Sequence, residues 1–288
     1  MKKVSIAVIG CGRIGQMHAK NVRLHENTTL ACIYDPNDEF AKKISNDLGI
    51  QAEKNVDEIF NNEEIDAVLI SSPTNTHIDF IEKSVAAKKS LTNGEIGDLH
   101  QCLITSRDPG LPSWDYLKVS GGQFRDMTIH DFDLARFMLG EEPIKVFAIA
   151  NALVNPEIKS KLNDSETLMI IMETASGKQC HINNSRSATY GYDQRVELFG
   201  SKGMVISENK KPHELKKYNS ENVDKSEPYL NFFIERYQEA YMNSISSFVE
   251  AILEKKPVAV GFEDGRKALL LAETAYKSIK SGRMEDID

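Results

Sequence analysis

The feature that most constrains this chain is a short β-branched apolar run, Val4 to Ile9, closed by Gly10-Cys11-Gly12-Arg13-Ile14-Gly15 and followed by a helical pattern from Ile14 to about Leu24. The turn fits GxGxxG. One glycine permits the tight turn, the next lets backbone approach a pyrophosphate, and the third lets helix pack close on strand. Alone, that pattern is weak.

The text that follows strengthens it. A second apolar run, Thr29 to Tyr34, ends in Asp35, about 20 residues after the last glycine, where an acidic side chain can bond the hydroxyls of an adenosine ribose. Gly10, Gly12, Arg13, Ile14, Gly15 and Asp35 are therefore candidates for holding a dinucleotide. Asp35 would repel a 2′-phosphate, which favours NAD over NADP, with Arg13 pulling the other way. The plainer alternative is a glycine turn between unrelated elements, with Asp35 a turn former beside Pro36.

A helix through Asp47, a short third strand near Ile50 and a fourth from Asp66 to Ser71 continue the alternation, which predicts a parallel sheet covered on both faces. Ser71-Ser72-Pro73-Thr74-Asn75-Thr76-His77 then falls at the carboxyl edge, where open α/β sheets bind ligands. Ser72, Pro73, Asn75 and His77 join the cofactor candidates, although Thr74 or Asn75 could simply cap the helix running to Ala87. After Lys88-Lys89-Ser90 another strand is due. Instead comes loop-like text, Leu91 to Gly97, and the alternation stops.

From Leu99 the pattern changes to longer alternating strands: Leu99 to Ser106, Ile144 to Ala152, Thr167 to Thr174, Lys178 to Ser185 and Arg195 to Phe199. Gly200-Ser-Lys-Gly203 reads as a hairpin turn, and two amphipathic helices, about Phe232 to Glu254 and Asp264 to Lys280, follow. This is an antiparallel α+β pattern after an α/β one.

One helix interrupts those strands, Asp126 to Leu139. At about 100° per residue, Asp126, His130 and Asp133 fall within a stripe of roughly 60°. Met127, Ile129, Phe132, Leu134, Phe137, Met138 and Leu139 fill most of the remaining circumference, so the helix should be largely buried and its polar stripe should line a cleft. A histidine can take an alcohol proton near neutral pH, and a carboxylate one turn away can orient its ring. His130 is the candidate acid/base and Asp126 its partner; the alternative is a capping Asp126 and a core His130. No metal is expected, since two carboxylates and one histidine fall short of the usual three or four convergent ligands.

Composition narrows the classes. A net charge of −8 and a pI near 5.5 argue against nucleic acid, whose binders show a basic face. Cys11, Cys32, Cys102 and Cys180 are widely spaced, without a CxxC pair, and read as reduced core thiols. The charged start leads to a glycine turn and no cleavage site, and no stretch approaches the roughly 20 apolar residues of a membrane span. The expectation is a cytoplasmic protein with no membrane partner.

Seven stretches, AVIGCGRIGQMHAKN, SSPTNTHID, GEIGDLHQ, SGGQFRDMTIHDFDLARFMLG, YGYDQRVELFGSKG, FFIERYQEAY and EDGRKALLLAETAYKS, together resemble the glucose-fructose oxidoreductase/inositol dehydrogenase (Gfo/Idh/MocA) family, in its inositol 2-dehydrogenase branch, over nearly the whole chain. The resemblance implies an N-terminal Rossmann domain, residues 1–92, and a domain of residues 93–288 with an open, mainly antiparallel sheet that binds substrate and oligomerises. The final helix is then a candidate to pack back on the first domain. It further implies oxidation of a secondary hydroxyl of a cyclic polyol, or of a sugar, by hydride transfer to NAD, in a homodimer or homotetramer. The family's D-x-x-x-H pair maps onto Asp126 and His130, and its polyol-holding positions map onto Asp133, Tyr192 and Tyr237, with core packing the alternative for the two tyrosines.

The departure matters as much. The family's next strand leads into Glu-Lys-Pro, whose lysine polarises the reacting hydroxyl, and no Glu-Lys-Pro occurs here. Glu254-Lys255-Lys256-Pro257 ends a late helix and is not equivalent; Lys88 and Lys89 stand on the wrong side of the absent strand. Two βα units, about 50 residues, are missing after Ser90, so the Rossmann domain lacks its last units. Strand Ala67 to Ile70 should be left as an edge. Loss of the lysine would cost about 10²–10⁴-fold in rate, leaving an impaired dehydrogenase or, alternatively, a non-catalytic nucleotide- or sugar-binding homologue.

Overall fold

The computed structural model describes residues 3–71, 88–231 and 236–287. The chain divides into two compact units. The first comprises the described residues of Met1–Ile78 with Gln238–Gly261, the second those of Asp79–Tyr237 with Phe262–Asp288.

In the first unit, β1 (Val4–Ile9), α1 (Arg13–Leu24), β2 (Thr28–Tyr34), α2 (Asp38–Leu48), α3 (Val56–Phe60) and β3 (Ala67–Ile70) form a parallel sheet of order β2-β1-β3 with its helices. Period-2 alternation along β1 decides the layers. Val4, Ile6 and Val8 point to one side, against Ala19 and Val22 of α1 and Ile44 of α2, while Ala7 points to the other, with Cys32 and Ile59 of α3. The Asn37 side chain caps α2 by accepting from Glu39 N at 3.0 Å, and Gly49 ends it in the left-handed region at φ 60°. The expected third strand near Ile50 is reduced to one isolated bridge, Ile33 to Ala52, because the polar residues after it supply no apolar face to continue the ladder. Among the described residues β3 pairs with β1 alone, and Ile70 is 61% exposed.

The second unit is built on seven strands: β4 (Leu99–Arg107), β5 (Pro143–Asn151), β6 (Thr167–Thr174), β7 (Gln179–Ser185), β8 (Asp193–Gly200), β9 (Gly203–Ser207) and, after the short β10 (Lys216–Lys217) and β11 (Lys225–Ser226) ribbon, β12 (Glu285–Asp286). Their order is β12-β5-β6-β7-β4-β8-β9, antiparallel except for β4 on β7. Its helices are α4 (Trp114–Val119), α5 (Ile129–Leu139), α6 (Pro156–Leu162) and, late in the chain, α8 (Phe262–Ser281); α7 (Gln238–Glu254) belongs to the first unit.

Alternation again sets the faces. Leu168, Ile170 and Met172 of β6 join Ile104, Ile182 and Leu198 under Phe132 and Met138 of α5 and Leu271 of α8, whereas Met169 and Ile171 face outward beside exposed Ile149 and Met204. The β8–β9 hairpin closes with Gly200 opposite Gly203, and a Cβ on Gly200 would lie 2.4 Å from Ile96 O. All four cysteines are buried and free.

The final helix, α8, packs on β5 and α5 within the second unit, and the preceding helix, α7, lies in the first, placing Ile245 and Val249 beside Val4, Ile6 and Val8. One expectation needs correction. The Asp126 helix does not begin as an α-helix: Phe124–Thr128 is a π-turn, and regular geometry starts at Ile129.

Candidate active site

The nucleotide half is made mostly of main chain. Gly10 sits at φ 95° and donates its N–H to Tyr34 O at 2.8 Å, which ties the turn to β2. A Cβ on Gly15 would come within 1.8 Å of Gly10 O, so only glycine lets α1 lie this close. Gly12 differs: it caps α1, no side chain caps the helix there, no acidic residue stands in its first turn, and a Cβ would meet nothing within 4 Å. Main-chain donors at a helix N-terminus beside open space suit a pyrophosphate.

Ile14 is buried in that helix and Arg13 is exposed on it. Asp35 turns inward, Oδ2 accepting from Cys11 N at 2.5 Å and Oδ1 from Asn37 N at 2.7 Å, so it braces the glycine turn. Ser72, Pro73, Asn75 and His77 fall outside the described residues.

The second unit builds its site from buried charge. Asp126 comes from the π-turn, where its Oδ1 accepts from the phenol of Tyr116 on α4 and its Oδ2 from Nη2 of Arg186, just past β7. The Asp126 and Arg186 side chains are 7% and 1% exposed. Burial and the neighbouring Asp126 carboxylate push the Tyr116 phenol well above its usual value, so it remains a donor.

His130 follows in the first turn of α5 and is buried. Asp131 is enclosed behind it, its Oδ2 accepting from Asn184 Nδ2 at 2.7 Å; burial pushes its carboxyl up to about 7. Half-buried Asp108 is pushed up to about 6, also by burial, with Arg186 opposing the shift. Lys88 is committed elsewhere: its Nζ, with that of Lys178, donates to Met138 O and Leu139 O at the C-terminus of α5.

Asp133 takes part in an ion cluster, in which buried Arg136 bonds Asp133 at 2.9 Å, Glu142 at 2.8 Å and Asp264 at 3.3 Å. Burial raises the Asp133 carboxyl, partly offset by Arg136. Tyr192 and Tyr237 are both buried and pack edge to face, centroids 5.7 Å apart and hydroxyls at 3.4 Å. Tyr116, Asp108, Asp131 and Arg186 were not singled out from sequence. Only a tertiary contact brings Arg186, in the plain text Ser185-Arg186-Ser187, to a carboxylate 60 residues away.

Residues 4–92 match the model of the oxidoreductase family's NAD-binding Rossmann fold, and residues 88–287 match that of its C-terminal alpha/beta domain. The chain belongs to the Gfo/Idh/MocA oxidoreductase family. It is an NAD-dependent dehydrogenase of that family's kind.

The chain is similar to inositol 2-dehydrogenase of Rhizobium meliloti (38% identity, 99% of each chain) and to myo-inositol 2-dehydrogenase of Thermotoga maritima (36%, 96% of this chain and 97% of that one). Among solved structures, a putative myo-inositol dehydrogenase from Sinorhizobium meliloti matches at 37% identity with a TM-score of 0.91, covering 99% of this chain and 100% of that one. The alignment with the Rhizobium protein runs over 330 positions, so with 288 residues here at least 42 of them (330 − 288) have no counterpart in this member.

Proposed function

We propose that this family member binds a cyclic polyol of the myo-inositol kind, or a sugar, against Asp126 and His130 and oxidises one of its secondary hydroxyls, slowly for want of the family's lysine. The reading is carried by one observation: a histidine buried one turn after a carboxylate that the fold itself holds in place. Near-full-length likeness to two inositol dehydrogenases supports the substrate class.

In this reading His130 takes the hydroxyl proton, and the Asp126 charge stabilises the imidazolium that forms. NAD, when bound, accepts the hydride leaving the same carbon, so the products are a ketone, NADH and a proton. Asp35 and the amides around Gly12 hold the dinucleotide, with Ser72, Pro73, Asn75 and His77 as further candidate cofactor contacts and NAD preferred to NADP. Asp133, Tyr192 and Tyr237 are assigned to the polyol, the tyrosines by shaping the wall. The unmatched alignment positions support the loss of two βα units, which the sequence pattern assigns to the stretch after Ser90.

The second reading, a binding protein without turnover, is supported by the absence of Glu-Lys-Pro. Titrating NAD and then following NADH absorbance with myo-inositol separates the two. Turnover near the enzyme median of about 10 s⁻¹ overturns the second reading, and binding without any NADH overturns the first. We assign self-association as a homodimer or homotetramer to the apolar outer sheet face around Ile149, Met169, Ile171 and Met204, and a cytoplasmic setting without membrane or nucleic-acid partners. Light scattering on the purified chain tests the assembly.

A further inference from the structure

Arg186 is the most deeply enclosed cation near the site, its side chain 1% exposed. Burying a guanidinium is costly unless partners repay it, and an arginine serving the fold alone is expected to spread its five donors over several acceptors. This one does not. Its Nη2 bonds Asp126 Oδ2, while Nε and Nη1 are enclosed without a hydrogen bond among the described residues. Its backbone N–H, donated to Glu166 O at 2.9 Å, fixes where the side chain starts.

Three separate elements therefore meet at one carboxylate: the π-turn supplies Asp126, α4 supplies Tyr116 to Oδ1, and the segment after β7 supplies Arg186 to Oδ2. His130 follows four residues after Asp126, about one helical turn along the same rod.

We propose that Arg186 is the positioning residue of this site, acting through Asp126 to set the orientation and charge balance of His130. The proposal rests on His130 being the proton acceptor. Tyr116 completes the grip on the carboxylate. The other charged or titratable neighbours are Asp108, which the Arg186 charge opposes in its rise, Asp131 on α5, and Tyr192.

The sign of the effect follows. With the guanidinium removed, the Asp126 charge is less compensated and favours the imidazolium, so His130 titrates at higher pH. The test is NMR titration of the histidine-labelled full chain with NAD present, the His130 signal being assigned by its loss in His130→Gln. Arg186→Met should raise the His130 titration point by roughly half a pH unit or more, and Arg186→Lys should restore much of the wild-type value. In an Asp126→Asn background Arg186→Met should add no further shift.

An unchanged titration in folded Arg186→Met overturns the proposal, as does a shift equally large without the Asp126 carboxylate. If Arg186→Met does not fold, Tyr116→Phe removes one donor from the same carboxylate and should shift His130 in the same direction by less; no shift there overturns the proposal too. Titration needs no turnover. A wild-type chain that makes no NADH from myo-inositol therefore counts against the functional reading alone.

Discussion

The two units solve the problem of holding a small molecule in opposite ways. The first uses backbone: glycines that clear space, a helix N-terminus without a side-chain cap, and Asp35 bracing the turn from behind. The second uses side chains with full charges, taken out of water and made to satisfy one another across 60 residues of sequence. A backbone site tolerates changes at its rim and fails when one Cβ is added at the wrong place. A charge cluster keeps its shape after a conservative change but loses its electrostatic balance.

The sharpest way to break that contrast is at the glycines. Gly15→Ala puts a Cβ 1.8 Å from Gly10 O and should unfold or displace the turn, abolishing NAD binding by calorimetry. Gly12→Ala meets no protein atom, so the melting temperature should hold while NAD affinity falls about tenfold; equal damage from both would mean the turn has no open cradle. His130→Ala, on the side-chain half, should lower polyol oxidation by about 10²–10⁴-fold and leave NAD affinity nearly unchanged. A collapse of cofactor affinity there would make His130 a scaffold residue.

Asp131 tests the charge cluster by pH. Its carboxyl is raised to about 7 in the fold from an ordinary value near 4, so between those values the folded chain holds a proton that the unfolded chain has released. Stability from this group is therefore lost as pH rises from about 4 to 7, by up to a few kcal/mol. Asp131→Asn should flatten the fall in melting temperature over that window. The smallest effect belongs to the surface of the first unit: Asn37→Ala removes the cap on Glu39 N and should cost about 1 kcal/mol in denaturant unfolding.

The same contrast explains what was legible beforehand. The glycine turn could be read because each position answers a local main-chain demand, and β6 was bounded correctly at Thr167 and Thr174 because alternation is a local signal too. The second site was legible only as an unusually polar stripe on an apolar helix. Nothing in Ser185-Arg186-Ser187 announces the partner of Asp126, and a fixed 100° step cannot reveal a π-turn. The unit that α7 joins was not legible for a related reason: an amphipathic stripe says that a helix packs, but not which sheet receives it.

The π-turn has one more consequence. Its extra residue works as a phase adjuster between two segments of one rod, with Phe132, Leu134 and Met138 seated downstream and Asp126 free to be indexed upstream. Deleting Met127 or Thr128 would change both the winding and the residue count between Asp126 and that core, and so the register of the carboxylate against Arg186. Insertions and deletions, more than substitutions, are thus the mutational step by which a helix of this design can retarget the group it presents.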